Sequence, residues 1–394
     1  DNNLYYKIIL AIDNNTFSEG ALTYSLAKDS TSSTNGKMAD EASGTINQSG
    51  NQIIGYGYFS ETSTFVDHIY NLTISFPSTE YDQSADNGKS FAAHVTIGEG
   101  KQTISEYISK LDLTYNGLEI DDTTDKNLRY VGASPKNYLK FNNETWRIIG
   151  VFNVYNEETN KYERLIKIVR GSSLGNYSWD TSKSSINSGY GINEWSQADL
   201  MNELNNDYLG TNTGTTTWFN GQNEQQTGSY DYSKNIKDEY VDKIATVRWN
   251  LGGLSNPTKP ASSLYVEERG TSHVSTITDD TERTDFYSDK IGLMYPSDYG
   301  YASSNAACRN TTSIVSNCRV NNWLYAFGLY WTLSSLTTDG YTALSVYSTP
   351  QNLQYTFHSD NTSTAWAVYP TLYLKQSVKI TGGTGTSTNP YTID

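Results

Sequence analysis

Apolar and polar side chains alternate along residues 52–76. The large apolar side chains fall in short runs separated by glycine, serine and threonine, with a period close to two. We therefore predict two or three half-buried strands in this stretch. Residues 103–111 differ, because their apolar side chains recur at helical spacing. They predict a short amphipathic helix that closes a first module, residues 1–118.

A second module, residues 119–394, follows an acidic stretch. Residues 119–126 are charged and turn-prone, so we predict the domain boundary there. A capping pattern at Ser196 predicts a helix whose apolar face continues to Leu204, and residues 238–250 predict a second helix ended by two glycines. The predicted strands of this module, joined in part by Asn-rich turns, are residues 138–141, 145–152, 165–169, 290–295, 329–334, 341–347 and 365–374.

The composition is typical of strands and turns. At 394 residues the chain is longer than one hydrophobic core usually serves, which favours two domains. Only 36% of the residues are hydrophobic, 32 are tyrosine, and Ser, Thr, Asn and Gly are abundant. We predict an α+β fold that is mostly β: a small N-terminal β domain, then a domain of antiparallel sheet with two helices and long loops.

Charge and hydropathy narrow the class of partner. The formal net charge of −15, without any run of Lys and Arg, argues against nucleic acid. No stretch reaches the roughly 18 apolar residues of a membrane span. Since the chain begins at Asp1 rather than Met, we expect that a signal or anchor segment was removed upstream.

The two cysteines lie in one polar loop. Cys308 and Cys318 are the only cysteines of the chain, and Asn, Ser and Thr surround them. An even pair in such a loop predicts a disulfide formed in an oxidising compartment. Two free thiols in a cytosolic loop are the alternative.

Motifs for metal or catalytic chemistry are weak. The four histidines lie far apart, and the acidic residues at 279–285 are either Ca²⁺ ligands or a solvated loop. Residues 171–175 match the G-x-S-x-G pattern of hydrolases, but a turn sequence follows where a helix is needed. We predict no metal site, no cofactor other than Ca²⁺ as an open possibility, and no enzymatic activity.

Residues 330–369 place Tyr, Ser, Thr, Asn and Trp between apolar strand positions. Paratopes use these residue types, because large rigid rings give contact area and small polar neighbours adapt their hydrogen bonds. An ordinary polar loop region is the alternative. The predicted ligand-binding residues are Trp331, Tyr341, Tyr347, Tyr355 and Trp366.

Six motifs occur in a fixed order: NLRYVG at 127–132, YLKFNNETWRIIG at 138–150, INEWSQADLM at 192–201, GLMYPSDYGYA at 292–302, VYPTLYLK at 368–375 and ITGGTG at 380–385. In these motifs the chain resembles a family of exported surface proteins, mainly of Gram-positive gut-type bacteria. That family looks like the C-type-lectin-like fold in its formylglycine-generating-enzyme variety, which implies surface binding. The enzyme branch uses a closely spaced cysteine pair for copper, and Cys308 and Cys318 depart from that spacing.

These features lead to two functional hypotheses of different classes. The first is a non-catalytic, adhesin-like protein of the bacterial cell surface that binds a host or bacterial surface protein or a glycan. The second is a subunit of an extracellular filament, pilus or surface layer, whose partners are other copies of itself. Strand-like residues near the chain start would then dock onto a neighbouring subunit: Leu4, Tyr6, Ile8 and Leu10. A glycan-active enzyme is a third interpretation.

Overall fold

The computed structural model describes residues 3–80, 82–182, 189–221, 226–256, 258–274, 280–309, 320–347 and 357–394. Strands account for 40% of the structure and helices for 15%. The sheets are largely antiparallel, so the chain is α+β and mostly β, as predicted. It divides into two compact units, Asp1–Gln102 and Thr103–Asp394.

The first unit consists of two three-stranded antiparallel sheets that share one hydrophobic core. A single 3₁₀ turn, Ser84–Asp86, precedes its last strand. The strands are Leu4–Asn15 (β1), Thr23–Lys28 (β2), Ala42–Thr45 (β3), Gly50–Phe59 (β4), Tyr70–Ser75 (β5) and Phe91–Glu99 (β6). One sheet has the order β4-β1-β6 and the other β3-β2-β5.

The strand at the chain start is the central strand of its sheet, whereas the filament hypothesis requires it to dock onto a neighbouring subunit. β1 pairs with β4 on one side and with β6 on the other. Tyr6, Ile8 and Leu10 face the core and are buried, whereas Leu4 is 60% exposed. Because both rows of its backbone hydrogen-bonding groups are paired within the unit, β1 offers no free edge to a neighbouring subunit.

The helices of the second unit are short. Three 3₁₀ segments, Trp195–Gln197, Tyr232–Lys234 and Trp323–Phe327, and one π-helical segment, Glu203–Asp207, accompany them. The α-helices are Ile104–Ser109 (α1), Leu113–Asn116 (α2), Asp199–Asn202 (α3), Asp238–Val241 (α4), Ala261–Glu268 (α5), Pro296–Tyr301 (α6) and Ala306–Arg309 (α7).

The strands of the second unit form a nine-stranded sheet, a five-stranded sheet and two hairpins. They are Leu118–Ile120 (β7), Leu128–Tyr130 (β8), Tyr138–Phe141 (β9), Glu144–Asn156 (β10), Lys161–Arg170 (β11), Asn176–Ser178 (β12), Thr215–Phe219 (β13), Thr227–Asp231 (β14), Val247–Asn250 (β15), Phe286–Asp289 (β16), Ile291–Gly292 (β17), Leu329–Ser335 (β18), Thr342–Tyr347 (β19), Phe357–Asn361 (β20), Ala365–Ala367 (β21), Thr371–Leu374 (β22), Ile380–Gly382 (β23) and Thr392–Ile393 (β24).

The hairpin of β10 and β11 forms the middle of the larger sheet. That sheet runs β16-β15-β10-β11-β22-β17, and β8 and β9 also pair with β10. Asn142 and Asn143, between β9 and β10, have φ angles of 54° and 59°. Asn tolerates this left-handed conformation, which explains the tight Asn-rich turn predicted there. The smaller sheet runs β12-β21-β18-β19-β20.

The division between the units precedes the predicted boundary at residues 118 and 119. Ile104 and Ile108 of α1 are buried in the core of the second unit, so the helix expected to close the first module belongs to the second. The acidic stretch is not a linker either. β7 pairs with β8, and Asp121 is buried because Arg129 neutralises it.

The predicted helix over residues 238–250 is helical only in α4. Residues 247–250 form β15 instead, where Val247 and Trp249 are buried and Arg248 and Asn250 are partly exposed. This period of two fits a strand, and pairing with β10 and β16 satisfies its backbone. The helix predicted from Ser196 is observed as consecutive 3₁₀, α and π segments.

Candidate functional site

The structure does not gather the predicted ligand-binding residues on one face. Trp331 is 1% exposed, and its indole N–H donates to the Tyr177 carbonyl oxygen at 3.0 Å. It is therefore a core residue of β18. Tyr341 precedes β19 and Tyr347 is its last residue, which at the strand rise places them about 20 Å apart.

Trp366 and Tyr355 are the other two predicted ligand-binding residues. Trp366 is partly buried, and its indole N–H donates to Asp360 at 2.8 Å. Tyr355 lies outside the described residues, as do Cys318 and the side chain of Cys308. The structure therefore does not describe the predicted disulfide.

Two other sequence motifs have local roles. The Ser173 hydroxyl accepts from the Gly175 amide at 3.0 Å, which closes a turn. In the acidic loop, Asp285 pairs with His273 at 2.9 Å, while Asp279 lies outside the described residues. Within the described ranges, no group of three or more His, Cys, Asp or Glu residues is arranged to hold a metal ion.

The second unit instead contains a buried ionic cluster, formed by Asp121, Arg129, Lys167 and Asp298. Asp298 lies in α6 and accepts from Lys167 Nζ of β11 at 2.6 Å and from Arg129 Nη1 of β8 at 2.9 Å. Arg129 Nε also donates to Asp121 at 2.7 Å. All four side chains are at most 2% exposed. Gly150 of β10 lets β8 approach closely enough to place Arg129, because a Cβ there would collide with the Leu128 carbonyl.

Burial and pairing compete within the ionic cluster. Burial disfavours the ionised form of Asp298, but the charges of Lys167 and Arg129 outweigh it and hold the pKa of Asp298 below its usual value. Burial lowers the pKa of Lys167 to about 8, against the attraction of Asp298. Aromatic rings enclose both cations: Arg129 lies 4.4 Å from the Tyr301 ring centre, and Lys167 lies 4.5 Å from that of Tyr295.

A further buried carboxylate lies at the end of α5. Glu268 is fully buried and accepts from the Ser297 amide at 2.8 Å and the Ser297 hydroxyl at 2.5 Å. Arg269 Nη1 donates to it at 3.2 Å. Burial raises the pKa of Glu268 to about 7, although Arg269 opposes that shift.

An open cavity of about 260 Å³ lies beside these charges. Most of its lining comes from β10, β11, β15 and β22 of the larger sheet, and the rest comes from the loops that carry Asp125, Arg269 and Tyr295. We call it the tyrosine pocket. Its lining residues are Asp125, Asn153, Val154, Tyr155, Tyr162, Arg248, Asn250, Arg269, Tyr295 and Tyr373.

Two guanidinium groups line the tyrosine pocket. Arg248 lies between two rings, 4.0 Å from the Tyr155 ring centre and 4.1 Å from that of Phe286, and its Nε donates to Glu157 at 2.9 Å. This hydrogen bond lowers the pKa of Glu157. Arg269 stacks 3.4 Å from the Tyr265 ring centre. Each cation is thus fixed by a ring and a carboxylate.

The sequence predicted tyrosine and asparagine as binding residue types, but it predicted neither the arginines of this pocket nor the positions that line it. The excess of tyrosine pointed to aromatic contact surface, yet Arg248 and Asn250 fell in the predicted helix. Their signal was present, because apolar Val247 and Trp249 alternate with them at the period of a strand. No sequence pattern indicates that β22 and the loop after α5 meet β10 and β15.

No protein-family model, curated protein or solved structure matches this chain. The resemblance to exported C-type-lectin-like surface proteins therefore stays a prediction. None of the helices in the described part of the chain has the length and apolar surface that a bilayer crossing requires.

Proposed function

We propose that this chain is a non-catalytic binding protein of the bacterial cell surface, and that the tyrosine pocket holds a small polar group of its partner. The partner is a surface protein or a glycan of the host or of another bacterium. The observation that carries the proposal is the pair of ring-stacked arginines, Arg248 and Arg269, lining one open cavity. Pockets that combine aromatic surface with a few fixed polar groups are typical of ligand sites.

The walls of the pocket favour binding without rearrangement. Tyr295 donates its hydroxyl to the Asn250 carbonyl at 2.9 Å, which ties the loop before α6 to β15. The ionic cluster lies behind that loop and anchors the next helix through Asp298. A prearranged wall lowers the entropy lost on binding, which is an advantage for a binding protein.

The experiment is a binding screen of the purified chain on arrays of host and bacterial glycans and surface proteins. Tyr155→Ala removes a partly exposed ring of the tyrosine pocket, and Tyr347→Ala is the matched control at the end of β19. We expect Tyr155→Ala to weaken binding about tenfold or more, as loss of one ring contact of roughly 1.5 kcal/mol requires. Tyr347→Ala should bind as the unaltered chain does.

Two results would count against the proposal. Loss of binding with Tyr347→Ala but not with Tyr155→Ala would return the site to the face predicted from the sequence. Failure of every glycan and protein on the arrays to bind would remove the binding function itself.

A further inference from the structure

We infer that the tyrosine pocket takes a saccharide unit that carries a carboxylate, an inference that rests on the binding function proposed above. The two arginines supply hydrogen-bond donors to the pocket. Arg248 uses only Nε in hydrogen bonds with described residues, and Arg269 uses only Nη1. The other guanidinium N–H groups of the two arginines make no hydrogen bond with a described residue, so they are available for a ligand.

A carboxylate suits these guanidinium donors. A guanidinium offers parallel N–H groups that match the two oxygens of a carboxylate, and such charge-assisted bonds are about twice as strong as neutral ones. The side chains of Arg248 and Arg269 are 30% and 21% exposed. They are therefore accessible yet partly desolvated, and rings already restrict their rotamers, so little entropy is lost on binding.

Other lining residues suit the hydroxyl groups and the ring face of a saccharide. Asn153 and Asn250 line the pocket, and the side-chain amide of neither residue hydrogen-bonds to another described residue. Amides of this kind serve hydroxyl groups, which both donate and accept. Tyr155 and Tyr162 meet edge to face, with ring centres 5.4 Å apart, and give an apolar surface for the C–H face of a sugar.

The size of the cavity fits one sugar unit. Its volume of about 260 Å³ lies below the roughly 300–1,000 Å³ of pockets that enclose drug-sized ligands. The pocket is also open, so a single acidic residue of a longer glycan can enter while the chain continues outside. A flexible acidic peptide lacks the hydroxyl groups that Asn153 and Asn250 would bind.

The test compares matched ligands that differ in the carboxylate: sialyllactose with its methyl ester, digalacturonate with its dimethyl ester, and methyl glucuronide with methyl glucoside. Hexaglutamate provides the peptide comparison. Calorimetry or NMR titration at millimolar concentration gives the affinities of the full chain. The variants are Arg248→Gln, Arg248→Lys and the control Arg164→Gln, which removes the same charge from an exposed position on β11 outside the pocket.

We expect at least one acidic saccharide to bind about tenfold or more tightly than its neutral partner. Arg248→Gln should weaken that binding by about tenfold to a hundredfold, which corresponds to loss of a charge-assisted hydrogen bond. Arg248→Lys should give an intermediate loss because it keeps the charge but not the fork, and Arg164→Gln should change little. Near-ultraviolet circular dichroism confirms that each variant is folded.

Other outcomes separate this inference from the function beneath it. Equal binding of acidic and neutral saccharides, lost in Tyr155→Ala, overturns the carboxylate while the binding function stands. Binding of hexaglutamate alone, lost in Arg248→Gln, overturns the saccharide. Absence of binding by all acidic saccharides overturns the inference, and the array screen then decides the function independently.

Discussion

The carboxylate of Asp298 joins three elements of the second unit. This carboxylate accepts from Lys167, from Arg129 and from the Tyr295 amide, at distances of 2.6 to 2.9 Å. These donors come from β11, from β8 and from the start of α6. A buried ion pair adds little net stability, because desolvation offsets its attraction, but removing one partner leaves the other charge uncompensated.

The change Asp298→Asn tests this role. It keeps the size of the side chain but leaves Lys167 and Arg129 without their shared anion. We expect the free energy of unfolding to fall by about 3–5 kcal/mol, as for other broken buried pairs. Urea denaturation followed by tryptophan fluorescence measures it, since all eight tryptophans lie in the second unit.

Asp238→Asn is the control, because it makes the same chemical change at an exposed position in α4. It should alter the free energy of unfolding by no more than about 0.5 kcal/mol. Equal effects of the two variants would show that the ionic cluster does not couple the elements it joins.

At the scale of elements, several strands were predictable and their partners were not. Short apolar runs separated by turn-forming residues located β9, β10, β11, β18 and β19, and most of β10, β11, β18 and β19 is buried on both faces. β15 was missed because Tyr240, Val241 and Ile244 precede it at helical spacing and Val247 extends that pattern by chance. Pairing with β10 and β16 decides the conformation, and it is a tertiary effect.

The site was predictable only as a composition. Tyr, Asn and Ser were expected to form a binding surface, but they are spread over the whole chain. Trp331 shows why residue type was insufficient, since a tryptophan on a strand can face the core or the solvent. The acidic residues 119–126 were predicted to form a domain boundary, but Asp121 is buried where Arg129 from β8 pairs with it.

The variant Trp331→Ala distinguishes a structural role of the Trp331 side chain in the core from its predicted role in ligand binding. The side chain is buried and its indole N–H bonds to β12, so truncation leaves a cavity and an unpaired carbonyl. We expect a loss of about 3–5 kcal/mol in the free energy of unfolding. Chemical denaturation followed by circular dichroism measures it.

Trp366→Ala, in the neighbouring strand β21, is the comparison. That side chain is only partly buried, so its truncation should cost about 1–2 kcal/mol. If Trp331→Ala were as stable as the unaltered chain but no longer bound a ligand found in the array screen, the result would support the prediction that Trp331 binds the ligand.

At the scale of the whole molecule, several carboxyl groups of the second unit are buried without a full complement of cations. Burial raises the pKa of Glu203 to about 9 and, despite Arg269, that of Glu268 to about 7. Burial and the neighbouring Asp199 also raise the pKa of Asp180. The formal net charge of −15 adds self-repulsion that grows as carboxyl groups ionise.

These shifts set the direction of the pH dependence. A carboxyl group whose pKa is raised by folding keeps its proton in the folded state after the unfolded chain has lost it. The folded state then binds more protons between about pH 4.5 and the folded pKa, so stability is greatest below that window and falls as the pH rises through it. Asp298 acts oppositely, but its lowered pKa confines its effect to more acidic solution.

We therefore expect the second unit to be more stable at pH 5.5 than at pH 8, by about 2–4 kcal/mol in the free energy of unfolding. Glu203→Gln should remove part of this difference. The Phe219 amide donates to Glu203 Oε1 at 3.0 Å. Glutamine stays neutral and can still accept this hydrogen bond. The variant should be more stable than the unaltered chain at both pH values, and its gain should be about 1–3 kcal/mol larger at pH 8 than at pH 5.5.

Glu239→Gln is the control, because Glu239 is exposed in α4 and the same change there should leave the pH dependence intact. Urea denaturation at both pH values, followed by tryptophan fluorescence, gives the four differences needed. A second unit that became more stable from pH 5.5 to pH 8 would contradict the argument from burial. Equal pH profiles of Glu203→Gln and the unaltered chain would assign the effect to Asp180, Glu268 or net charge instead, because those groups remain in the variant.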